Sequence, residues 1–285
     1  MRVIIFLISA ACLLPGSTPS KSNAQEETPV FSQVERCLCR IYLEHELDGR
    51  RVTERGCGVV FRHRIQDSHC YFVCTAYHVI ENMLLMNNVT CRIFLQDCRV
   101  ADSNSPKYWP DRIRRDHIVW RNREMDAAII ALPAILSHDP FPEGYKFPGL
   151  AYVKQIADAS MGQEVFMMGP RWYTDKVSGL ILKRGIISGI TKELPRYKGH
   201  PIFLVDQMSN KGMSGGLLFS NDGRGIGMIS SYVLESDQGL RTSDDLTVCV
   251  PLSILLDELQ SVISEKGDKV LSLIRGEQES NSEGQ

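Results

Sequence analysis

The sequence predicts an all-β protein: two six-stranded antiparallel β-barrels followed by a C-terminal α-helix. Three observations lead there. Twelve short segments, alternating or rich in β-branched residues, recur along the chain with Gly, Pro, Asn and Asp between them. Only the last apolar stretch has helical spacing, with Leu252, Leu255, Leu256, Leu259, Val262 and Ile263 at steps of three and four residues. A chain of 285 residues, 43% hydrophobic and 23% charged, is long enough to fill two barrel cores.

Taken in order, Met1 and Arg2 precede an apolar run over residues 3–14, too short to cross a bilayer, and then Pro15-Gly16 and small polar residues. This reads as a signal peptide over 1–24 with Ser22-Asn23-Ala24 as the cleavage site. Export to the periplasm or the exterior follows, with a lipoprotein anchor at Cys12 as a secondary alternative. After a polar linker at 25–29, strands are predicted at 34–43, 52–61, 69–75, 89–100, 118–121 and 127–132 in a first half. A second half holds 164–168, 179–190, 202–205, 217–220, 225–233 and 246–250. The halves meet near 135–160 within one domain over 25–275. Residues 103–116, with Trp109 and a basic group at Arg112, Arg114 and Arg115, read as a solvated loop. The helix starts behind Pro251, which fits a first helical turn, and its stripe is expected to pack on a barrel. Residues 276–285 lack apolar side chains and read as a disordered tail.

A net charge of -2 gives no electrostatic case for nucleic acid. No segment is long enough for a stable membrane span, and no cofactor is expected. With Cys12 removed, Cys37, Cys39, Cys57, Cys70, Cys74, Cys91, Cys98 and Cys249 remain. In an exported chain this even number favours disulfide bonds, whose pairing the sequence leaves open. A zinc site using Cys57, Cys70, Cys74 and His78 is the competing reading, although its spacing is irregular for structural zinc.

The chemistry centres on Gly212-Met213-Ser214-Gly215-Gly216. Glycines around a hydroxyl permit a tight turn and let backbone N–H groups approach a reacting carbonyl, although Gly-Ser runs are also common in plain surface loops. The same residues fit a nucleophile elbow, in which the histidine follows the serine. All seven histidines precede Ser214, so that arrangement is excluded. What survives is the order His, Asp, Ser. His78 ends an apolar strand, and Asp126 heads another, Ala127 to Leu132. Alone, each has an ordinary structural reading, but a buried carboxylate needs a donor and an imidazole supplies one.

Thr75-Ala76-Tyr77-His78, Asp126-Ala-Ala-Ile-Ile-Ala-Leu132 and Gly212-Met-Ser-Gly-Gly216 resemble, in order and spacing, the three motifs of the chymotrypsin-like (trypsin-like) serine proteases. Gly162, Gly169, Gly185-Ile-Ile-Ser-Gly189 and Gly225-Ile-Gly-Met-Ile229 make the likeness closest to the protease domain of HtrA-type enzymes. The resemblance implies a serine endopeptidase with His78, Asp126 and Ser214 as the triad. It implies an oxyanion hole from the N–H groups of Gly212 and Ser214, and a polypeptide substrate, including unfolded protein, lying beside Ser230, Ser231 and Tyr232. Met208, six residues before the serine, falls at the base of the specificity pocket and favours an apolar residue there. Two features depart from the family: Met213 replaces the usual Asp or Asn, and only 33 residues follow Leu252, too few for a PDZ domain. The alternative function is a catalytically silent fold acting as a binding or scaffold protein.

Overall fold

The structure, a computed structural model, describes residues 30–95, 113–133, 152–172, 178–232 and 246–276. The signal-peptide region, Cys98, residues 103–112 and the tail from 277 lie outside the described residues. Among the described residues no helix is long and apolar enough to cross a membrane.

The first half contains β1 (Leu38–Leu47), β2 (Arg50–Ile65), β3 (Ser68–Thr75), β4 (Thr90–Leu95), β5 (Ile118–Asn122) and β6 (Ala127–Ala131). They form one antiparallel sheet ordered β4-β1-β2-β3-β6-β5. The second half contains β7 (Glu164–Trp172), β8 (Ser178–Thr191), β9 (Ile202–Val205), β10 (Leu217–Phe219), β11 (Gly225–Tyr232) and β12 (Thr247–Pro251), which close into a barrel ordered β10-β11-β12-β9-β8-β7. The expectation of two barrels is therefore corrected: the first six strands leave an open sheet. Among the described residues its edges β4 and β5 do not pair, and an isolated bridge joins Cys91 to Ile113. A 3-10 turn at Arg115–His117 diverts the chain between Ile113 and β5. Arg115 is held there by hydrogen bonds to the carbonyls of Met83 (3.2 Å) and Met86 (3.2 Å) at the end of helix α2, Tyr77–Leu85.

Several boundaries differ from the sequence reading, two of them for a clear local reason. Residues 34–36 belong to a short helix α1 (Val30–Arg36), whose Phe31 packs edge-on against Phe166 and Phe219 of the barrel. Residues 44–51 continue β1 and β2 around a two-residue turn, Asp48-Gly49, both at positive φ (50° and 71°). Asp-Gly is the residue pair that such a hairpin turn selects.

The C-terminal helix α3 runs from Leu252 to Arg275, departing from helical geometry at Lys266 (φ -135°, ψ 25°). Leu252, Leu255 and Leu259, then Val270, Leu271 and Ile274, join the core that contains Ile41, Val59, Phe72 and Ile130. The helix leaves the barrel at β12 and packs its apolar stripe on the open sheet of the first half. Residues 153–157 add a second tie: Val153 N–H donates to Val60 O (3.0 Å), and Gly225 exchanges bonds with Gln155 and Ala157 (2.9 Å each).

The expected disulfides do not appear among the described residues. All seven described cysteines are free and buried. All but Cys37 lie on strands, and burial pushes the Cys57 and Cys91 thiols up to about 12 and raises Cys74 and Cys249. Among the described residues, no three His, Cys, Asp or Glu side chains group as a metal site.

Candidate active site

His78 lies in the first turn of α2, directly after β3 ends at Thr75. Asp126 ends the turn between β5 and β6 at φ 53°, a left-handed conformation uncommon outside glycine. Asn122 Oδ1 accepts the Met125 N–H at 2.9 Å and Asp126 N–H donates to Arg123 O at 3.2 Å, closing that turn. Adjacent strands β3 and β6 thus deliver an imidazole and a carboxylate to one spot. His78 Nδ1 lies 2.9 Å from Asp126 Oδ2 and 3.1 Å from Oδ1, and the His78 backbone N–H donates to Oδ1 at 3.0 Å. Ser230 Oγ donates to Oδ2 at 2.5 Å.

The carboxylate is buried, with 3% of its side chain exposed against 39% for the imidazole. Burial alone would raise its pKa. The hydrogen bond and charge of His78, with the Ser230 hydroxyl and the His78 N–H, outweigh that and hold the carboxyl below its ordinary value. With an ionised partner at Nδ1, that nitrogen carries the proton and Nε2 is the free base.

The loop bearing Ser214 comes from the closed barrel and docks on the first half. Ser214 O accepts the Cys57 N–H at 2.8 Å, and Gly215 N–H donates to Ile229 O at 2.7 Å. Gly215, at φ 86°, presses so closely on β2 and β3 that an added Cβ would meet Cys57 O at 1.8 Å and Thr75 Oγ1 at 2.8 Å. Thr75 also donates its hydroxyl to Cys57 O at 2.6 Å, so the residues just before His78 and the residue just after Ser214 share one contact. Among the described residues, Ser214 Oγ has no hydrogen bond, and the N–H groups of Gly212 and Ser214 donate to no backbone acceptor.

Met213, the departure from the family motif, is fully buried among Val165, Met167, Ile187, Val205 and Ile229. Its Sδ accepts the Asn210 N–H at 3.3 Å. Packing into the barrel core holds the loop here in place of a charged side chain. Lys183 adds an anchor, its ammonium donating to Met208 O at 2.5 Å and Asn210 Oδ1 at 2.9 Å.

Met208 is 39% exposed. Ser230 is fully buried, with its side chain on Asp126. The pairing of β11 with β12 shifts register between Ile229 and Ser231 and resumes with Ser231 opposite Val248 and Tyr232 opposite Thr247. On the other side, pairing with β10 and the nucleophile loop ends at Ile229. Among the described residues, β11 therefore has an open edge from Ser230 onward. A cavity of about 680 Å³ lined by Arg36, Arg62, Tyr152 and Arg224 includes none of the site residues predicted from sequence.

Sequence reasoning missed Thr75, Lys183 and Tyr197 as participants, and gave Ser230 to the substrate rather than to Asp126. Thr75 stood in the histidine motif and was open to notice. Nothing local marks Lys183 or Tyr197.

Residues 56–228 match the family described as the trypsin-like peptidase domain. No curated protein matches. Among solved structures, the HtrA-type protease AlgW with a tripeptide is 16% identical at a TM-score of 0.56, covering 83% of this chain and 63% of that chain. Deg5 is 20% identical at a TM-score of 0.51, covering 80% of this chain and 89% of that chain. The chain therefore spans about 63% of the length of the AlgW chain it matches. At these identities the structures speak to the fold, and the family match covers well over half the sequence: the chain belongs to the family of trypsin-like peptidase domains.

Proposed function

We propose that this protein is an exported serine endopeptidase that cleaves extended or unfolded polypeptide through His78, Asp126 and Ser214. The observation that carries the reading is the His78 imidazole held 2.9 Å from the buried Asp126 carboxylate, beside a serine loop bonded to the same half through Cys57. Asp126 keeps the Nδ1 proton in place, so Nε2 takes the Ser214 proton as Oγ bonds to the peptide carbonyl carbon. The C=O π pair moves onto oxygen, where the N–H groups of Gly212 and Ser214 receive the negative charge. Collapse breaks the C–N bond, His78 returns the proton to the departing amine, and water repeats the sequence on the acyl-enzyme. The open edge of β11 offers backbone groups for an extended substrate to add as a strand. AlgW has been solved with a tripeptide, and a peptide is the ligand class we assign here. Export rests on the leader read over 1–24.

Met208 puts no negative charge at the pocket base, so an apolar residue rather than Arg or Lys is expected on the amino side of the cut bond. Incubating the protein with a random peptide library and sequencing the products checks this. Cleavage after apolar residues is the predicted profile, and one dominated by Arg or Lys contradicts it. The scaffold alternative is favoured only by the missing bond from Ser214 Oγ. Catalytic hydrogen bonds are commonly long before substrate closes the site.

A further inference from the structure

The acid of the triad is held by a residue outside the three motifs. Ser230 Oγ is fully buried and lies 2.5 Å from Asp126 Oδ2 and 3.0 Å from the hydroxyl of Tyr197. A serine hydroxyl has one proton, and an ionised carboxylate is acceptor only. Ser230 must give its proton to Asp126, so the bond to Tyr197 can form only if Tyr197 is the donor. The direction is thereby fixed as Tyr197 O–H to Ser230 O–H to Asp126 Oδ2.

Tyr197 occupies a 3-10 turn, Pro195–Tyr197, in the β8–β9 connection, yet is only 2% exposed and packs with Ile202 and Val248. Its loop grips the Asp126 turn at two further points. Lys198 Nζ lies 2.5 Å from Glu124 Oε1, and Asn122 Nδ2 lies 3.4 Å from His200 Nε2. That turn holds Asp126 in a left-handed conformation, which persists only where neighbours over-determine it. Arg123 of the same turn also lies 3.3 Å from Glu81 of α2.

We propose that Tyr197 is a positioning residue: through Ser230 it orients the Asp126 carboxylate, and thereby the imidazole, while touching neither substrate nor the reacting atoms. The inference rests on the triad reading above. Tyr197→Phe deletes the donor and keeps the ring packing. It is expected to slow fluorophosphonate labelling of Ser214 about tenfold, the scale of one hydrogen bond. Acting through Ser230, it should add nothing further in a Ser230→Ala background. Labelling within twofold of the parent, or an equal further slowing in Ser230→Ala, overturns the proposal. If the parent is not labelled at all, the protease reading fails separately, and a second readout decides. The low-field Nδ1–H proton resonance of His78, recorded in Ser214→Ala protein, should move when Tyr197→Phe is added. An unmoved resonance overturns the proposal whatever becomes of the catalytic reading.

Discussion

Asp126→Asn is expected to lower turnover of an unfolded protein substrate about 10⁴-fold, the scale found when the acid of such a triad is amidated. The three donors around the carboxylate explain why. Asp126 Oδ1 accepts the His78 backbone N–H at 3.0 Å, and a backbone donor cannot turn away. The amide NH₂ must therefore occupy the Oδ2 position, where it meets Ser230 Oγ and His78 Nδ1. Ser230 can rotate to accept. The imidazole can accept at Nδ1 only by moving its proton to Nε2, the nitrogen needed as base. Binding groups are untouched, so the loss falls on kcat, with KM changing only a few-fold. Steady-state kinetics on unfolded casein separates the two, and a variant within tenfold of the parent kcat would contradict the tautomer argument.

Gly215→Ala is expected to destabilise the fold by about 3–5 kcal/mol and to remove reactivity at Ser214. A Cβ 1.8 Å from Cys57 O cannot be absorbed by a side-chain rotation, because the obstacle is backbone of a central strand. The positive φ of 86° adds about 1–2 kcal/mol for a residue with a Cβ. Displacing the loop also breaks the Gly215 N–H to Ile229 O bond (2.7 Å) within the barrel and the Cys57 N–H to Ser214 O bond (2.8 Å) that joins the halves. Thermal melting of the purified variant measures this. A midpoint within two or three degrees of the parent, on the scale of about 1 kcal/mol for a chain of this size, would show that the loop is not wedged as described.

Strand existence was legible because alternation and β-branching are local properties, and Ala127–Ala131 or Ile202–Val205 emerge as read. The three motifs were legible because each is a short run of neighbouring residues, with its reactive side chain a few positions from a strand. Closure of the first sheet was not, since it depends on how Arg115 meets the carbonyls of α2, some thirty residues away in sequence. Helix α3 outran its visible stripe because the departure at Lys266 resets the apolar phase between Leu259 and Val270. Asp48-Gly49 was legible and passed over. The disulfide expectation came from counting cysteines, and a count carries no geometry. Tyr197 reads as an ordinary loop tyrosine, and only the fold brings its hydroxyl to a serine 33 positions later and, through it, to Asp126 in the other half.

The claim on which all this depends is that a base and a hydroxyl from different halves act as one nucleophile. A fluorophosphonate probe followed by peptide mass mapping tests it directly. The account predicts a single adduct on Ser214, absent in Ser214→Ala and suppressed in His78→Ala. No adduct on the folded parent protein, or an adduct on another residue that survives Ser214→Ala, would contradict it.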